Sequence, residues 1–293
     1  MIYTIENDYY KADICSKGAE LYSLYARKQE FNCLWHGDPA IWAGRAPFLF
    51  PIVGRLRDDR YTLDKKEYTM TIHGFAQNLE FELQEHTKDR LRLCLKSCDA
   101  TRKIYPFDFS VISCFRLSDN SLTVTRIVEN CSPRCMPFSL GEHFGFRSPF
   151  FPDEKLKDYS LTFEKEETAP RYPLTEKHLL GEPESFLMNT SKIPIKEDLF
   201  DQGALIFMGL QSKKVTLGKD EGRAALSLHY DDYSTIAFWC KSGTGVPYIC
   251  IEPWNGYDTP ESAGDDIYQK PGIIMLEPGQ SRSFSCQIGI SKS

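Results

Sequence analysis

The sequence predicts an all-β protein, built as a large sandwich of two antiparallel sheets. Many short runs alternate apolar with polar side chains, which is the period of a strand that buries one face. Turn-forming residues separate these runs, and no long amphipathic helix is evident. The 293 residues are 41% hydrophobic, so the chain can form a large core as a single domain over residues 1–293.

Strands are expected in order along the first half of the chain. Over residues 91–95 leucine alternates with other side chains, so this strand should bury one face. The next hairpin has a turn at residues 118–121 and returns over residues 122–130. Residues 45–55 contain two prolines, which lack a backbone donor. That segment is therefore predicted to be an irregular crossing segment or an edge strand.

The second half begins with a different pattern. Residues 149–197 are polar and rich in proline, which predicts an excursion of long loops with isolated strand pieces such as residues 160–163. Sheet is then predicted to resume in four runs and to close with an alternating strand: residues 204–208, 213–217, 225–230, 235–240 and 281–290.

Charge and cysteine usage exclude several classes of partner. The formal net charge of -6 argues against nucleic acid or an anionic membrane as the main partner. No run approaches the ~20 apolar residues of a membrane span. The N-terminus carries no export signal, so we expect a cytoplasmic protein. The ten cysteines form no Cys-x-x-Cys pair and are expected to be reduced thiols.

One apolar run, residues 248–251, leads directly into a glutamate. Pro253 and Gly256 follow, and they predict that the strand ends there. Glutamate is rarely buried without a partner or a task. Desolvation would raise the pKa of Glu252 and make it a better proton acceptor near neutral pH. Two interpretations stay open: a catalytic base, or a carboxylate that caps a loop or pairs with an arginine.

Three further polar residues lie beside glycine, proline or aromatic residues: His73, His143 and Arg55. With Glu252 they form the set that a sugar site requires, namely groups for proton transfer and an arginine for hydroxyls. The candidates for stacking on the sugar are Trp35, Trp42, Phe75 and Trp254. Alternatively, each histidine is structural and Arg55 lies in a surface ion pair. A metal site of two histidines and a glutamate is a weaker alternative, because no His-x-His pair is present.

Four segments resemble motifs of the aldose 1-epimerase (mutarotase) family, in the family's order. They are Arg-x-Pro-x-Leu-Phe-Pro-Ile-Val-Gly-Arg-Leu (45–56), Ile-His-Gly-Phe-Ala (72–76), Pro-Phe-Ser-Leu-Gly-x-His (137–143) and Cys-Ile-Glu-Pro-Trp (250–254). The most similar branch is the bacterial one associated with lactose and tagatose utilisation genes. The resemblance implies the galactose mutarotase-like β-sandwich. It also implies that the substrate is a small sugar, an aldose. The protein would interconvert the α and β anomers of that sugar, and the reaction would need no metal or cofactor.

The resemblance also implies a role for each candidate. Glu252 would take the proton of the anomeric hydroxyl while His143 donates one to the ring oxygen, and the ring opens. After rotation about the C1–C2 bond the roles reverse. Base and acid would lie on opposite sides of one hemiacetal. His73, Arg55 and Trp254 would bind the sugar.

Two positions depart from the family pattern. Glu142 lies beside the proposed acid and would raise the pKa of His143 if the two interact. Gly203 stands where the family often has a sugar-binding aspartate, although Asp201 is near in sequence. These departures leave open a non-catalytic sugar-binding protein of the same fold.

A related branch of the family acts on hexose 6-phosphates. Four arginines lie on or near the first motif, and they leave that substrate class open as well: Arg45, Arg55, Arg57 and Arg60.

Overall fold

The computed structural model describes residues 1–292, and strands dominate the first half of the chain. One short helix, α1 (Asp99–Ile104), interrupts them. The strands of this half are β1 (Ile2–Glu6), β2 (Tyr10–Cys15), β3 (Glu20–Ala26), β4 (Phe31–Asn32), β5 (Phe48–Leu49), β6 (Arg60–Leu63), β7 (Lys66–Thr69), β8 (Glu82–His86), β9 (Arg90–Lys96), β10 (Phe109–Ser118) and β11 (Ser121–Asn130).

The second half is also built from strands. They are β12 (Met136–Phe138), β13 (Leu140–Glu142), β14 (Phe144–Arg147), β15 (Ser160–Arg171), β16 (Glu184–Pro194), β17 (Leu205–Met208), β18 (Lys214–Gly218), β19 (Ala225–His229), β20 (Thr235–Trp239), β21 (Tyr248–Asn255), β22 (Ile274–Leu276) and β23 (Ser281–Ser291). Short 3-10 turns occur at Arg57–Asp59, Ala76–Asn78, Leu156–Asp158 and Ile267–Gln269. None of the helices in residues 1–292 combines the length and the apolar character of a membrane span.

Nine strands form the larger antiparallel sheet, in the order β16-β15-β18-β19-β23-β11-β10-β9-β8. The predicted hairpin is confirmed as β10 and β11, which pair without a register shift around a two-residue turn. Period-two burial explains its place in the core, since Val111 and Phe115 face inward from β10. The predicted runs that correspond to β18, β19 and β23 are also confirmed.

A six-stranded sheet packs against it, in the order β17-β20-β21-β13-β5, with β14 also paired to β21. Phe163 of the larger sheet contacts Phe207 and Phe238 of the smaller one, with ring centroids 6.4 and 6.0 Å apart. The predicted sandwich is therefore confirmed. Three small antiparallel sheets complete it: β1-β2-β3-β4, β12-β22 and β6-β7.

Strand β21 is the central element, and all of its residues are buried. It continues through Pro253 to Asn255, so the prediction that Pro253 ends the strand is wrong. The neighbouring chain passes from β13 to β14 at this point, and the pairing on that side of β21 is interrupted. Proline is tolerated where a ladder is interrupted, because its missing donor removes no bond there.

The prediction of long loops over residues 149–197 is also wrong. Strands β15 and β16 form a long antiparallel hairpin at one edge of the larger sheet. Their register shifts three times between Thr162 and Pro170. Bulges break the period of two, and the edge position leaves many polar side chains in solvent. The predicted edge strand in residues 45–55 is confirmed, because β5 forms the edge of the six-stranded sheet.

A buried ion pair connects the two sheets. Arg126 of β11 donates from Nε and Nη2 to the two carboxylate oxygens of Glu142 on β13, at 2.7 and 2.8 Å. The guanidinium lies over the rings of Phe48 and Phe115. Burial opposes the arginine charge, yet the pKa of Arg126 is raised, because the charge and hydrogen bonds of Glu142 outweigh burial. The pair therefore links β11 of one sheet to β13 of the other.

Candidate active site

Four of the five predicted site residues line one cavity of about 290 Å³: His73, His143, Glu252 and Trp254. Strands β17, β20 and β21 and the break between β13 and β14 contribute lining residues, and so do the loops before β5 and after β7. Its walls are mainly indole rings and apolar side chains, with a few polar groups among them. The other lining residues are Trp42, Ile72, Leu174, Ala204, Ile206, Trp239 and Asp258.

Glu252 lies in the middle of β21, paired opposite Ala237 of β20, and is 2% exposed. Its pKa is raised well above the ordinary value, first by burial and then by the negative charge of Asp258. The side chain of Trp254 acts in the opposite direction, although its Nε1–H makes no hydrogen bond within residues 1–292. Glu252 consequently binds a proton more readily than an exposed glutamate.

His143 occupies the break between β13 and β14, where its backbone N–H donates to the backbone carbonyl of Pro47 at 3.1 Å. Its Nε2 lies 3.2 Å from Oε2 of Glu252. Burial, and then the neighbouring His73, lower the pKa of His143 well below its ordinary value. The imidazole and the carboxylate are in direct contact. Their expected placement on opposite sides of one hemiacetal stays a prediction.

His73 presents one ring nitrogen to the cavity. Its Nδ1 accepts the N–H of Gly54 at 3.1 Å, and burial and the charge of Arg55 lower its pKa to about 4. At neutral pH the ring is uncharged, and because Nδ1 is an acceptor the proton resides on Nε2. Nε2–H is then a donor for a ligand oxygen. The adjacent Gly74 has a positive φ, and a Cβ there would lie 2.4 Å from the carbonyl oxygen of Phe50.

Two glycines make room for the indoles around His143. A Cβ on Gly141 would lie 2.4 Å from Cδ1 of Trp254, and one on Gly145 would lie 2.6 Å from Cζ3 of Trp42. Trp42 consequently approaches the ring of His143, with centroids 5.1 Å apart. Flat apolar walls of this kind suit the C–H faces of a sugar.

The other stacking candidates have different positions. Trp35 is buried and donates from Nε1 to the carbonyl of Trp42 at 2.8 Å, so it supports the wall from behind. Phe75 packs in the core against Phe109, with centroids 6.1 Å apart. Trp239 does line the cavity, and its ring lies 5.7 Å from that of His143. The sequence analysis missed Trp239, because its strand pattern marks only a sheet residue.

Arg55 does not line the cavity. Its guanidinium donates twice to Asp59, at 2.8 and 3.0 Å, on the outer side of the segment. The charge still acts on the site, since it contributes to the lowered pKa of His73. The geometry therefore supports an electrostatic effect of Arg55 and does not support a direct contact with a sugar in the cavity.

Glu142 and His143 point in different directions, as successive residues of an extended chain do. The Glu142 carboxylate is held by Arg126 between the sheets, while His143 faces the cavity. The pKa of His143 is lowered. The expected rise through Glu142 therefore does not occur.

Gly203 does not line the cavity, although the adjacent Ala204 does, and nothing lies within 4 Å of a Cβ placed on Gly203. Asp201 does not replace the missing aspartate, because it is exposed and accepts a hydrogen bond from Ser242 Oγ at 2.8 Å. A different acid, Asp258, lines the cavity instead. The sequence offered one signal for it: an aspartate shortly after Glu252, at the start of the acidic loop.

Within residues 1–292, one group of three side chains has the composition of a metal site. Ligand atoms of His143, Cys250 and Glu252 lie within 4.8 Å of one another. A metal requires the cysteine as thiolate. Burial and then the charge of Glu252 raise the pKa of Cys250 well above its ordinary value, which opposes that form. The donor set fits a proton-transfer pair better than a metal centre.

We therefore expect chelator treatment followed by desalting to leave anomer exchange unchanged. The check is the exchange rate of a reducing sugar before and after treatment, with the metal content of both samples measured. Loss of exchange that one divalent ion restores would contradict the expectation and assign a metal to this group.

Comparison with known proteins agrees with the geometry. Residues 1–289 match the family model described as aldose 1-epimerase. The chain belongs to the aldose 1-epimerase family. Protein LacX (chromosomal) of Lactococcus lactis subsp. lactis is 29% identical in an alignment of 299 positions that covers 99% of each chain. This similarity agrees with the lactose-related bacterial branch of the family.

Two solved structures share the fold over nearly their full length. A galactose mutarotase related enzyme from Lactobacillus acidophilus is 33% identical, with a TM-score of 0.95 over 100% of this chain and 98% of that one. A galactose mutarotase-like protein from Lactobacillus casei ATCC 334 is 28% identical, with a TM-score of 0.93 over 99% and 100% of the two chains. The galactose mutarotase-like fold of this family member is thus shown.

Proposed function

We propose that this protein is an aldose 1-epimerase, a cytoplasmic isomerase that interconverts the α and β anomers of a free hexose without a cofactor. One observation carries the proposal: the carboxylate of Glu252 and the imidazole of His143 lie 3.2 Å apart at the floor of a cavity walled by indoles. Family membership supports the reaction class. The ten free cysteines suit a reducing compartment, which supports the location.

Side-by-side placement suits the chemistry of a hemiacetal. The anomeric oxygen and the ring oxygen are bonded to the same carbon, so the two groups that serve them must be neighbours. Glu252 takes the proton of the anomeric hydroxyl, the C1–O5 bond breaks, and His143 donates its proton to O5. The open-chain aldehyde rotates about C1–C2. His143 then takes the proton of the O5 hydroxyl, and Glu252 returns its proton to O1 as the ring closes.

The shared proton sets the resting state of the pair. Burial raises the pKa of Glu252 and lowers that of His143, so burial favours the uncharged form of each group. Hydrogen bonds from sugar hydroxyls favour an ionised carboxylate. Binding of the sugar therefore promotes transfer of the proton across the 3.2 Å contact to His143, which prepares Glu252 as the base.

His73 and Trp254 contribute to sugar binding in this proposal. Nε2–H of His73 donates to a sugar oxygen, and the indole of Trp254 supports the carboxylate end of the cavity. Arg55 acts through its charge, which keeps His73 neutral.

Electrostatics favour a free sugar over a hexose 6-phosphate. No lysine or arginine among the described residues lines the cavity, whereas the carboxyl groups of Glu252 and Asp258 do. A phosphate dianion would enter without a counter-charge. The arginines that left this substrate class open contact other groups. Arg45 lies over the ring of Tyr22, and Arg55 pairs with Asp59. Arg57 pairs with Asp265, and Arg60 pairs with both Asp58 and Glu67.

Saturation-transfer NMR of free and 6-phosphorylated aldoses at anomeric equilibrium tests the proposal. We expect accelerated exchange for at least one free hexose, and little or none for its 6-phosphate. Acceleration confined to phosphorylated sugars would overturn the substrate class. Sugar binding without acceleration of any aldose would favour the alternative that Gly203 suggested, a non-catalytic sugar-binding protein.

A further inference from the structure

Asp258 is an acid whose carboxylate is held from one side only. It lies beyond the end of β21 and is 4% exposed. Its Oδ1 accepts the N–H of Arg55 at 2.7 Å. Gly54 makes this approach possible, because a Cβ there would lie 2.4 Å from the Asp258 carboxyl carbon. The backbone thus fixes one oxygen of the carboxylate, and within residues 1–292 no other residue donates a hydrogen bond to Oδ2.

A buried lysine supports a charged state of Asp258. Lys270 is 4% exposed and donates from Nζ to the carbonyl of Tyr257 at 2.5 Å. Burial lowers the pKa of Lys270 to about 8, against the opposing charge of Asp258. Burial raises the pKa of Asp258, and the Arg55 N–H and the Lys270 charge oppose that rise. Buried charges are usually kept where they are paired or have a task.

The position of Asp258 gives it such a task. It lines the cavity together with Glu252, and its charge contributes to the raised pKa of Glu252, but within residues 1–292 no hydrogen bond joins it to Glu252 or His143. Gly203, where the family often has a sugar-binding aspartate, carries no side chain, and Asp201 is exposed and accepts a hydrogen bond from Ser242. A carboxylate oxygen without a donor, in a cavity that accepts a polyhydroxylated ligand, lacks the hydrogen bond that a hydroxyl supplies.

We propose that Asp258 is a sugar-binding residue whose free carboxylate oxygen accepts a hydroxyl of the substrate, in place of the side chain that Gly203 lacks. The inference rests on the proposed function for the identity of the ligand. A hydroxyl that reaches Asp258 is one that the catalytic pair does not use. Asp258 therefore selects among hexoses that differ in the configuration of the carbon whose hydroxyl lies at that point of the cavity.

The test separates binding from catalysis by measuring both. In the Glu252→Gln background, dissociation constants of D-glucose, D-galactose and their monodeoxy analogues are measured by calorimetry with and without Asp258→Asn. The amide oxygen of asparagine still accepts a hydroxyl and only the charge assistance is lost, so binding should be about 3-fold to 10-fold weaker in Asp258→Asn. With Glu252 intact, Asp258→Asn should raise KM by a similar factor. It should also lower the pKa of Glu252 in the pH–rate profile, because the charge of Asp258 contributes to the raised pKa of that group. One monodeoxy sugar, the one that lacks the hydroxyl bound by Asp258, should bind equally well to the protein with and without Asp258→Asn.

Matched variants make each outcome decisive. Asp201→Asn should leave every dissociation constant unchanged. If Asp258→Asn unfolds because it isolates the charge of Lys270, the double variant Asp258→Asn/Lys270→Met removes both charges and takes its place in the same measurements. Equal binding of the parent hexoses with and without Asp258→Asn overturns the inference, and so does weakening that no monodeoxy sugar removes. Absence of exchange in the wild-type protein overturns the proposed function alone, since the dissociation constants still report on Asp258.

Discussion

Glu252→Gln should lower kcat for anomer exchange by at least about 100-fold, the lower end of the usual contribution of a general acid or base. The amide keeps the shape of the side chain and can still bond a hydroxyl, so sugar affinity should change little. Saturation-transfer NMR of a reducing sugar at equilibrium measures the rate. The matched control is Glu261→Gln, which removes an exposed carboxylate on the loop that follows β21. An exchange rate in Glu252→Gln close to that of the wild-type protein would contradict the assignment of Glu252 as the catalytic base.

His143→Asn should lower kcat by a comparable factor, because the two side chains transfer protons in one step. The double variant should lose far less than the product of the two single losses, as residues that act as a unit do. Losses that multiply would show that Glu252 and His143 act independently, which the 3.2 Å contact between them does not support.

The pH dependence of the rate tests the shared proton. The active pair holds one mobile proton: exchange falls at low pH when both groups are protonated and at high pH when neither is. Burial and His73 lower the pKa of His143, so the acid limb should lie below the ordinary 6.5. Burial and Asp258 raise the pKa of Glu252, so the alkaline limb should lie above the ordinary 4.5. Residual exchange in Glu252→Gln should lack the acid limb, since no carboxylate is left to ionise. Residual exchange in His143→Asn should lack the alkaline limb, since no imidazole is left to lose the proton that it donates.

Much of the fold was predictable because period-two burial is a local property of the sequence. The β10/β11 hairpin and the runs near β18, β19 and β23 show this directly. The β15/β16 hairpin was missed, because register shifts remove the period and its edge position leaves polar side chains exposed. Local patterns carry no information on which strand lies at an edge.

The candidate site was predictable where a motif and a buried strand coincide, as at Glu252 and His143. Asp258 and Trp239 were missed, because their place in the cavity depends on how a loop and a neighbouring strand pack against β21. The orientation of Arg55 was not predictable for a similar reason: whether its guanidinium turns to the cavity or to Asp59, as it does here, depends on the local path of the chain.

Glu142→Gln should destabilise the protein by about 3–5 kcal/mol, because it leaves the charge of Arg126 buried without its partner. Removing both charges in Glu142→Gln/Arg126→Met should cost less, since no lone charge then remains in the core. Urea unfolding of each variant measures the free energies. Glu184→Gln, which breaks the half-exposed pair with Arg171, is the matched control and should change stability little.

Below the unfolding transition, Glu142→Gln should keep both limbs of the pH–rate profile, since Glu142 faces away from His143 and bonds only Arg126. A shift of the acid limb in this variant would show that the Glu142 charge reaches His143 after all.

A loss of stability below about 1 kcal/mol in Glu142→Gln would show that the Arg126 charge finds another partner or water once Glu142 is neutral. In that case the ion pair between β11 and β13 would not be what couples the two sheets at the site.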